Sequence, residues 1–306
     1  MDKKPRRKTS SKPAEGKRSS EAKKPTEAKK SYPTGGKTVK FSGPAKPKFS
    51  RTGKPLKEQG SKKEPMPSFS EFVRLNKWLA NAGVCSRREA DELIKAGVVE
   101  VNGVIVTEMG FKVGPGDKVK YGGESLSQEK LRYVLLNKPK DFITTSSDPQ
   151  NRRTVIHLVK NACKERIYSV GRLDRNTTGL LLFTNDGDLA KKLTHPRYNI
   201  KKIYQISLDK PVSHEHIEAL REGIELHDGF IKADIVDYVA GLDDKREVGI
   251  EIHSGKNRIV RRMFEFFDYK VIKLDRVVFA GLTKKDLPRG KWRFLTDQEI
   301  AFLKMS

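Results

Sequence analysis

One stretch of the sequence concentrates residues that could do chemistry. GRLDRNTTGLLLFTNDG, residues 171–187, sets Asp174 between Arg172 and Arg175, just ahead of the apolar run Leu180–Phe183. A cation within ~4–6 Å favours the charged form of a carboxylate, and an anionic carboxylate can attack an electrophilic carbon. The same Asp could equally serve a turn, accepting from the backbone of Asn176 or Thr177, as Asp often does in loops. Two other segments carry candidate groups. KKIYQISL places Tyr204 in a stretch that reads as a strand. SGKNRIVRRMFEFF places Arg258, Arg261 and Arg262 on one face of a predicted helix, opposite Val260, Met263, Phe264 and Phe267. Taken singly, Tyr204 reads as a half-buried sheet residue and the arginines as a solvated face.

Other chemistries find no support. Cys85 and Cys163 lie in neither a Cys-x-x-Cys nor a mixed Cys/His spacing. His214 and His216 are two apart, and His157, His195, His227 and His253 are isolated, so no metal is expected. A P-loop and a dinucleotide fingerprint are both absent, so no cofactor is expected either.

The elements that must position these groups follow from periodicity. Strands are predicted near 133–136, 143–145, 167–170, 179–184, 203–208, 248–253 and 271–279. A helix starts at Thr154, and another, beginning near Asp188, ends at His195 before Pro196. Helical patterns do not follow every strand, which argues for an α+β unit with a large sheet over a doubly wound one.

A smaller unit precedes it, from about Phe69 to Glu124. Leu75, Trp78, Leu79 and Ala82 form one helical stripe stopped by Gly83; Ser86-Arg87-Arg88-Glu89 reads as a capping box opening a second helix that ends at Gly97. Strands flank the Asn102-Gly103 turn, and another covers 118–121. Arg87 and Arg88 put two cations in a helix's first turn, where the macrodipole disfavours each by about 0.3–1 kcal/mol. A phosphate would offset that, and Arg74 and Lys77 would extend the patch.

Charge is uneven. The 306 residues carry a formal +24, of which residues 1–66 hold +15, together with 8 of the 15 prolines and few large apolar residues. That segment is expected to be a disordered basic tail, either a solubilising linker or an arm attracted to a nucleic-acid backbone. The excess of cations calls for a polyanionic partner. With no apolar run of membrane-spanning length and no apolar core in MDKKPRRKTSSKP, a cytoplasmic protein without membrane contact is expected.

RLNKWLANAGVCSRREADELIKAGVVEVNG resembles the RNA-binding domain named after small-subunit ribosomal protein S-four. Behind it, LLNKPKDFITT, GRLDRNTTGLLLFTNDG, KIYQISL and GKNRIVRRMF, in that order, resemble the bacterial pseudouridine synthases that modify ribosomal RNA, over about Phe69–Phe302. The resemblance implies a tail over 1–66, an S-four-like domain over 67–127 and a catalytic domain over 128–306 with a large mixed, mainly antiparallel sheet. It implies Asp174 as nucleophile, Arg172 helping to displace the target base, Tyr204 packing on the uracil and Arg261 pairing with Asp174. Lys138, Arg258 and Arg262 join Arg74, Lys77, Arg87 and Arg88 as expected RNA contacts. Ile259 stands where the family often has glutamine. The partner implied is ribosomal RNA, of the large subunit by the length and the RRMFEFFDYKVIKLDRV segment, within a pre-ribosomal particle, and the protein is expected to act as a monomer.

Overall fold

The computed structural model describes residues 72–242 and 244–305. The basic tail expected over 1–66 lies outside them.

In the smaller unit, strand β1 (Val73–Arg74) leads into helix α1 (Leu75–Asn81), then α2 (Arg87–Lys95). The capping box is formed: the Ser86 amide donates to Glu89 Oε2 at 2.7 Å and the Glu89 amide to Ser86 Oγ at 3.3 Å. Strands β2 (Val99–Val101), β3 (Val104–Ile105), β4 (Lys112–Val113), β5 (Val119–Tyr121) and β6 (Glu124–Ser125) follow. The order β3-β2-β5-β6 makes a four-stranded sheet, while β4 pairs with β1. Asn102 and Gly103 both have positive φ, 54° and 82°, as a two-residue turn matched to strand twist requires. Leu75, Leu79, Ala90, Ile94, Val99 and Val119 are buried together, joining both helices to the sheet. Each large aliphatic so buried contributes about 1.5–3 kcal/mol.

The larger unit contains β7 (Tyr133–Lys138), α3 (Val155–Val159), β8 (Tyr168–Ser169), β9 (Thr178–Thr184), α4 (Gly187–Thr194), β10 (Lys202–Leu208), α5 (His214–Glu222), the hairpin β11 (Ile224–Leu226) and β12 (Gly229–Ile231), β13 (Ile235–Tyr238), β14 (Glu247–Ile252), α6 (Ile259–Glu265), β15 (Val271–Phe279), β16 (Leu282–Thr283), β17 (Trp292–Phe294) and α7 (Asp297–Met305). Its sheet runs β13-β14-β10-β15-β9-β7-β17, with β16 beside β15 and β8 beside β9. Among the described ladders of this sheet, only β15 with β9 is parallel, through Asp275↔Thr178 and Arg276↔Gly179. The α+β reading and the mainly antiparallel sheet therefore hold.

Leu181 and Phe183 pack on one face of the sheet, Leu180 and Leu182 on the other, so the apolar run of β9 is a strand covered on both sides. One predicted strand is absent: Ile143 makes a single isolated bridge to Thr154, within a loop that returns to cap α3. The β-branched run signalled a strand, but no neighbour extends the ladder.

The smaller unit touches the larger through Lys77 Nζ–Asp188 Oδ1 at 2.7 Å, Arg166 Nη1–Glu89 Oε2 at 3.8 Å and the Glu129 amide donating to the Asn81 carbonyl at 3.3 Å.

Candidate active site

Asp174 lies in the loop from β8 to β9, and this loop is held from three directions. Lys138, at the end of β7, is 0% exposed and aims its ammonium at the carbonyls of Thr177 (2.8 Å), Asp174 (3.1 Å), Arg175 (3.2 Å) and Pro139 (3.2 Å). Burial, chiefly, pushes its pKa down to about 8, with Asp174 and Asp141 pulling the other way. Thr144 Oγ1 donates to the Leu173 carbonyl at 2.8 Å, and the Asp141 amide donates to that of Arg175 at 2.9 Å. At the loop's far end Gly179 has φ +107°, and a Cβ there would fall 2.3 Å from the Arg276 carbonyl oxygen. Only glycine lets β9 approach β15 so closely.

The turn is closed by backbone, the Thr177 amide donating to the Asp174 carbonyl at 3.1 Å. The Asp174 side chain makes no hydrogen bond to Asn176 or Thr177 among the described residues, which removes the turn-stabilising alternative. Its Oδ2 instead lies 3.7 Å from Arg258 Nη1 and 3.9 Å from Arg261 Nε, with the side chain 35% exposed. Arg261 is buried, fixed by Nη1 donating to the Val271 carbonyl at 3.0 Å, while its Nε has no hydrogen-bond partner. Burial, then Arg258, pushes the Arg261 pKa down, opposed by Asp174.

Asp174 and Arg258 open on one cleft of about 200 Å³, lined also by Arg172, Lys202, Tyr204 and Arg276 among others. Tyr204 is buried in β10, paired across the sheet with Ile250 and Arg276. Arg172 is exposed at the cleft. The arrangement presents an anionic oxygen, flanked by two guanidiniums, in the same concavity as a phenol ring. Among the described residues no group of three or more His, Cys, Asp or Glu is placed to hold a metal ion.

The structure corrects three expectations. Lys138 faces four carbonyls in the interior, so it organises the loop that carries Asp174 and is not an RNA contact. Arg258, Arg261 and Arg262 do not share a solvent face: α6 begins at Ile259, Arg258 precedes it at φ 48°, Arg261 is buried, and Arg262 Nη1 pairs with Asp228 Oδ1 at 2.8 Å. The helical wheel failed because the left-handed residue resets the register. Arg258 consequently belongs with Asp174. Lys77 is engaged with Asp188, whereas Arg74, Arg87 and Arg88 are exposed. Ile259 is buried and lines the cleft, an apolar wall where the family often has a glutamine.

Two cleft residues escaped sequence reasoning, Lys202 and Arg276. Lys202 precedes Tyr204 by two positions, so strand alternation puts both on one face; Arg276 needed the β10–β15 pairing, which no local pattern supplies.

Comparison with known proteins gives a consistent result. The family model described as RNA pseudouridylate synthase matches residues 132–266, and the S4 domain matches residues 73–119. The ribosomal large subunit pseudouridine synthase B of Bacillus subtilis (strain 168) is 43% identical over 234 residues, covering 76% of this chain and 95% of that protein. The dual-specificity RNA pseudouridine synthase RluF of Escherichia coli (strain K12) is 36% identical over 231 residues, covering 74% of this chain and 77% of that one. A crystal structure of a pseudouridylate synthase superposes with a TM-score of 0.54 at 29% identity, covering 76% of this chain and 99% of its own.

Proposed function

Because the chain belongs to the RNA pseudouridylate synthase family, with an S4 domain ahead of the synthase unit, we propose that it isomerises a specific uridine of large-subunit ribosomal RNA to pseudouridine, with Asp174 as nucleophile. The observation that carries this reading is the Asp174 carboxylate, free of its own turn and set between Arg258 and Arg261 in the cleft that holds Tyr204. The name of the Bacillus subtilis relative supports the large-subunit target.

The chemistry asks little beyond these groups. The bond from ribose C1′ to uracil N1 breaks, the base turns, C5 joins C1′, the C5 proton leaves and N1 takes a proton up. There is no net redox change and no energy input. Asp174 Oδ2 attacks C1′ as N1 departs, and is itself displaced when C5 returns. A glycosidase needs a second carboxylate to protonate an alkoxide-like leaving group, whereas uracil departs as a stabilised anion, so one carboxylate suffices. Arg261, held by Val271, keeps that carboxylate aimed. Tyr204 packs against the base and Arg172 occupies the gap the base leaves. Taking the nucleotide out of its stack costs a few kcal/mol, offset by phosphate contacts from the exposed Arg74, Arg87 and Arg88 over 67–127 while 128–306 does the chemistry. No helix among the described residues is long and apolar enough to cross a membrane. The proposed reaction takes place on pre-ribosomal particles in the cytoplasm, with the protein acting as a monomer.

The test is carbodiimide primer extension on ribosomal RNA with and without the protein, beside Asp174→Asn. One gene-dependent stop in 23S-type RNA is expected, lost in Asp174→Asn with RNA affinity retained. An unchanged stop pattern would make the protein an RNA-binding assembly factor, and a primary deuterium isotope effect at C2′ would make Asp174 a base instead of a nucleophile.

A further inference from the structure

Two cations of the cleft have no role in the account above. Lys202 and Tyr204 leave β10 on the same face, and the ladder sets Arg276 of β15 directly across from Tyr204. All three line the cleft. Arg276 is 3% exposed. Its Nε donates to the Leu180 carbonyl at 2.8 Å, its guanidinium carbon sits 4.4 Å from the Phe279 ring centre, and its Nη2 is buried without a hydrogen-bond partner. Lys202 donates to the carbonyls of Ile200 (2.8 Å) and His253 (2.6 Å), which uses two of its three N–H groups. Neither cation has a carboxylate within ion-pair distance among the described residues. Burial, then the charge of Arg276, pushes Lys202 down to about 8, with Asp234 opposing.

Two desolvated positive charges that repel each other and lack a counter-charge cost the folded protein free energy. An anion brought beside them would offset it. An RNA phosphate does not fit that place: Arg276 is enclosed, and phosphates of an everted nucleotide stay at the mouth, where Arg172 and Arg258 are exposed. The group that goes in beside Tyr204 is the base. When C1′–N1 breaks, the bonding pair stays on the base, spread over N1, O2, N3 and O4; it returns to C1′ as the C5–C1′ bond forms and the C1′–Asp174 bond breaks, and the C5 proton then departs to solvent while N1 takes one up from it. Between those events the base is an anion in a poorly hydrated site, where fixed positive charge acts most strongly.

We propose that Lys202 and Arg276 hold the detached uracil as an anion, Lys202 giving its third N–H to a carbonyl oxygen of the base and Arg276 contributing its charge from the adjacent strand. Lys202 is then a catalytic residue. This rests on the pseudouridine synthase reading, and the experiment separates the two. Single-turnover consumption of the N-glycoside is followed with saturating enzyme on RNA carrying uridine or 5-fluorouridine at the target, fluorine making the detached base a more stable anion. Lys202→Met should slow uridine by about 10²–10³-fold, the scale of losing one preorganised donor. It should slow 5-fluorouridine at least about tenfold less, with RNA affinity within about threefold of wild type. Equal slowing of both substrates would overturn the proposal, as would a loss confined to affinity, which would mark a phosphate contact. Wild-type enzyme that converts neither substrate would sink the synthase reading itself; an active wild type beside an equally active Lys202→Met sinks only this inference. Should Lys202→Met fail to fold by near-ultraviolet circular dichroism, the wild type decides with 2-thio- and 4-thiouridine at the target. Sulfur is a weak acceptor, so slowing of one of them by about tenfold is expected for one charge-assisted hydrogen bond, and equal rates for all three bases would refute it.

Discussion

Lys138→Met removes a buried ammonium while keeping most of the side chain's apolar length. Four carbonyls lose a donor. Those of Asp174 and Arg175 keep the amides of Thr177 and Asp141, at 3.1 and 2.9 Å. Those of Pro139 and Thr177 have no other partner among the described residues, and each costs about 1–3 kcal/mol when left unpaired in the interior. Against this, the variant is relieved of a burial penalty. A pKa pushed from 10.5 down to about 8 corresponds to roughly 3 kcal/mol by which folding disfavours the charged form. The two contributions are of similar size, so stability should stay within about 3 kcal/mol of wild type. The rate should not survive so well. With Lys138 gone, the loop between Leu173 and Thr177 loses its ammonium anchor and keeps Thr144, Asp141 and the ion pairs of Asp174 with Arg258 and Arg261, and a displacement of the carboxylate by about 1 Å costs on the order of 10²-fold in rate. Urea unfolding and single-turnover conversion on the same preparation test the pair of statements. A variant of native stability that converts uridine at the wild-type rate would refute the loop-organising role. A variant whose activity falls only in proportion to its unfolded fraction would refute it too.

Two further outcomes follow from other groups. Burial raises the Asp275 carboxyl, but hydrogen bonds from Arg289, Lys284 and Thr178 outweigh it and hold the pKa at about 2. The unfolded chain therefore binds more protons between about pH 4 and pH 2, so this group adds about 2 kcal/mol above that window and loses it as pH falls through it. In Asp275→Asn the acid limb of urea stability between about pH 4 and 2 should flatten, and an unchanged slope would count against the assignment. Neutralising the exposed pair with Arg87→Gln and Arg88→Gln should lower the slope of log affinity against log salt by about 1.5 for RNA, the effect of two lost phosphate contacts. Fluorescence anisotropy across a salt series measures it, and an unchanged slope would show that the first turn of α2 does not meet the backbone.

How far the sequence could be read depended on how local each signal was. The helix stripe of Leu75, Trp78 and Leu79, the Ser86–Glu89 box, the Asn102-Gly103 turn and the apolar run of β9 are short-range patterns, and each element formed where its pattern lies. The association of Asp174, Tyr204 and Arg261 came from a family resemblance, since nothing in the spacing of three distant segments sets a distance of 3.9 Å between Arg261 and Asp174. The misreadings have a common cause. Lys138 looks like any loop lysine until β7 carries it inside, and Arg258 looks helical until its positive φ takes it out of α6. Both depend on where the backbone goes next, which side-chain periodicity does not encode. The short strands β13 and β17 went unseen for the same reason, being defined by their partners β14 and β7.

The short parallel ladder at Gly179 is also where two halves of the chain meet. Asp174 comes from the segment that makes β7–β9, whereas Tyr204, Arg258 and Arg261 come from the segment that makes β10–β15. During synthesis Asp174 therefore leaves the ribosome roughly a hundred residues before β15 and well ahead of Arg258 and Arg261. The ion pairs that Asp174 makes with Arg258 and Arg261 can therefore form only after the second half of the chain has been made and has closed against the first.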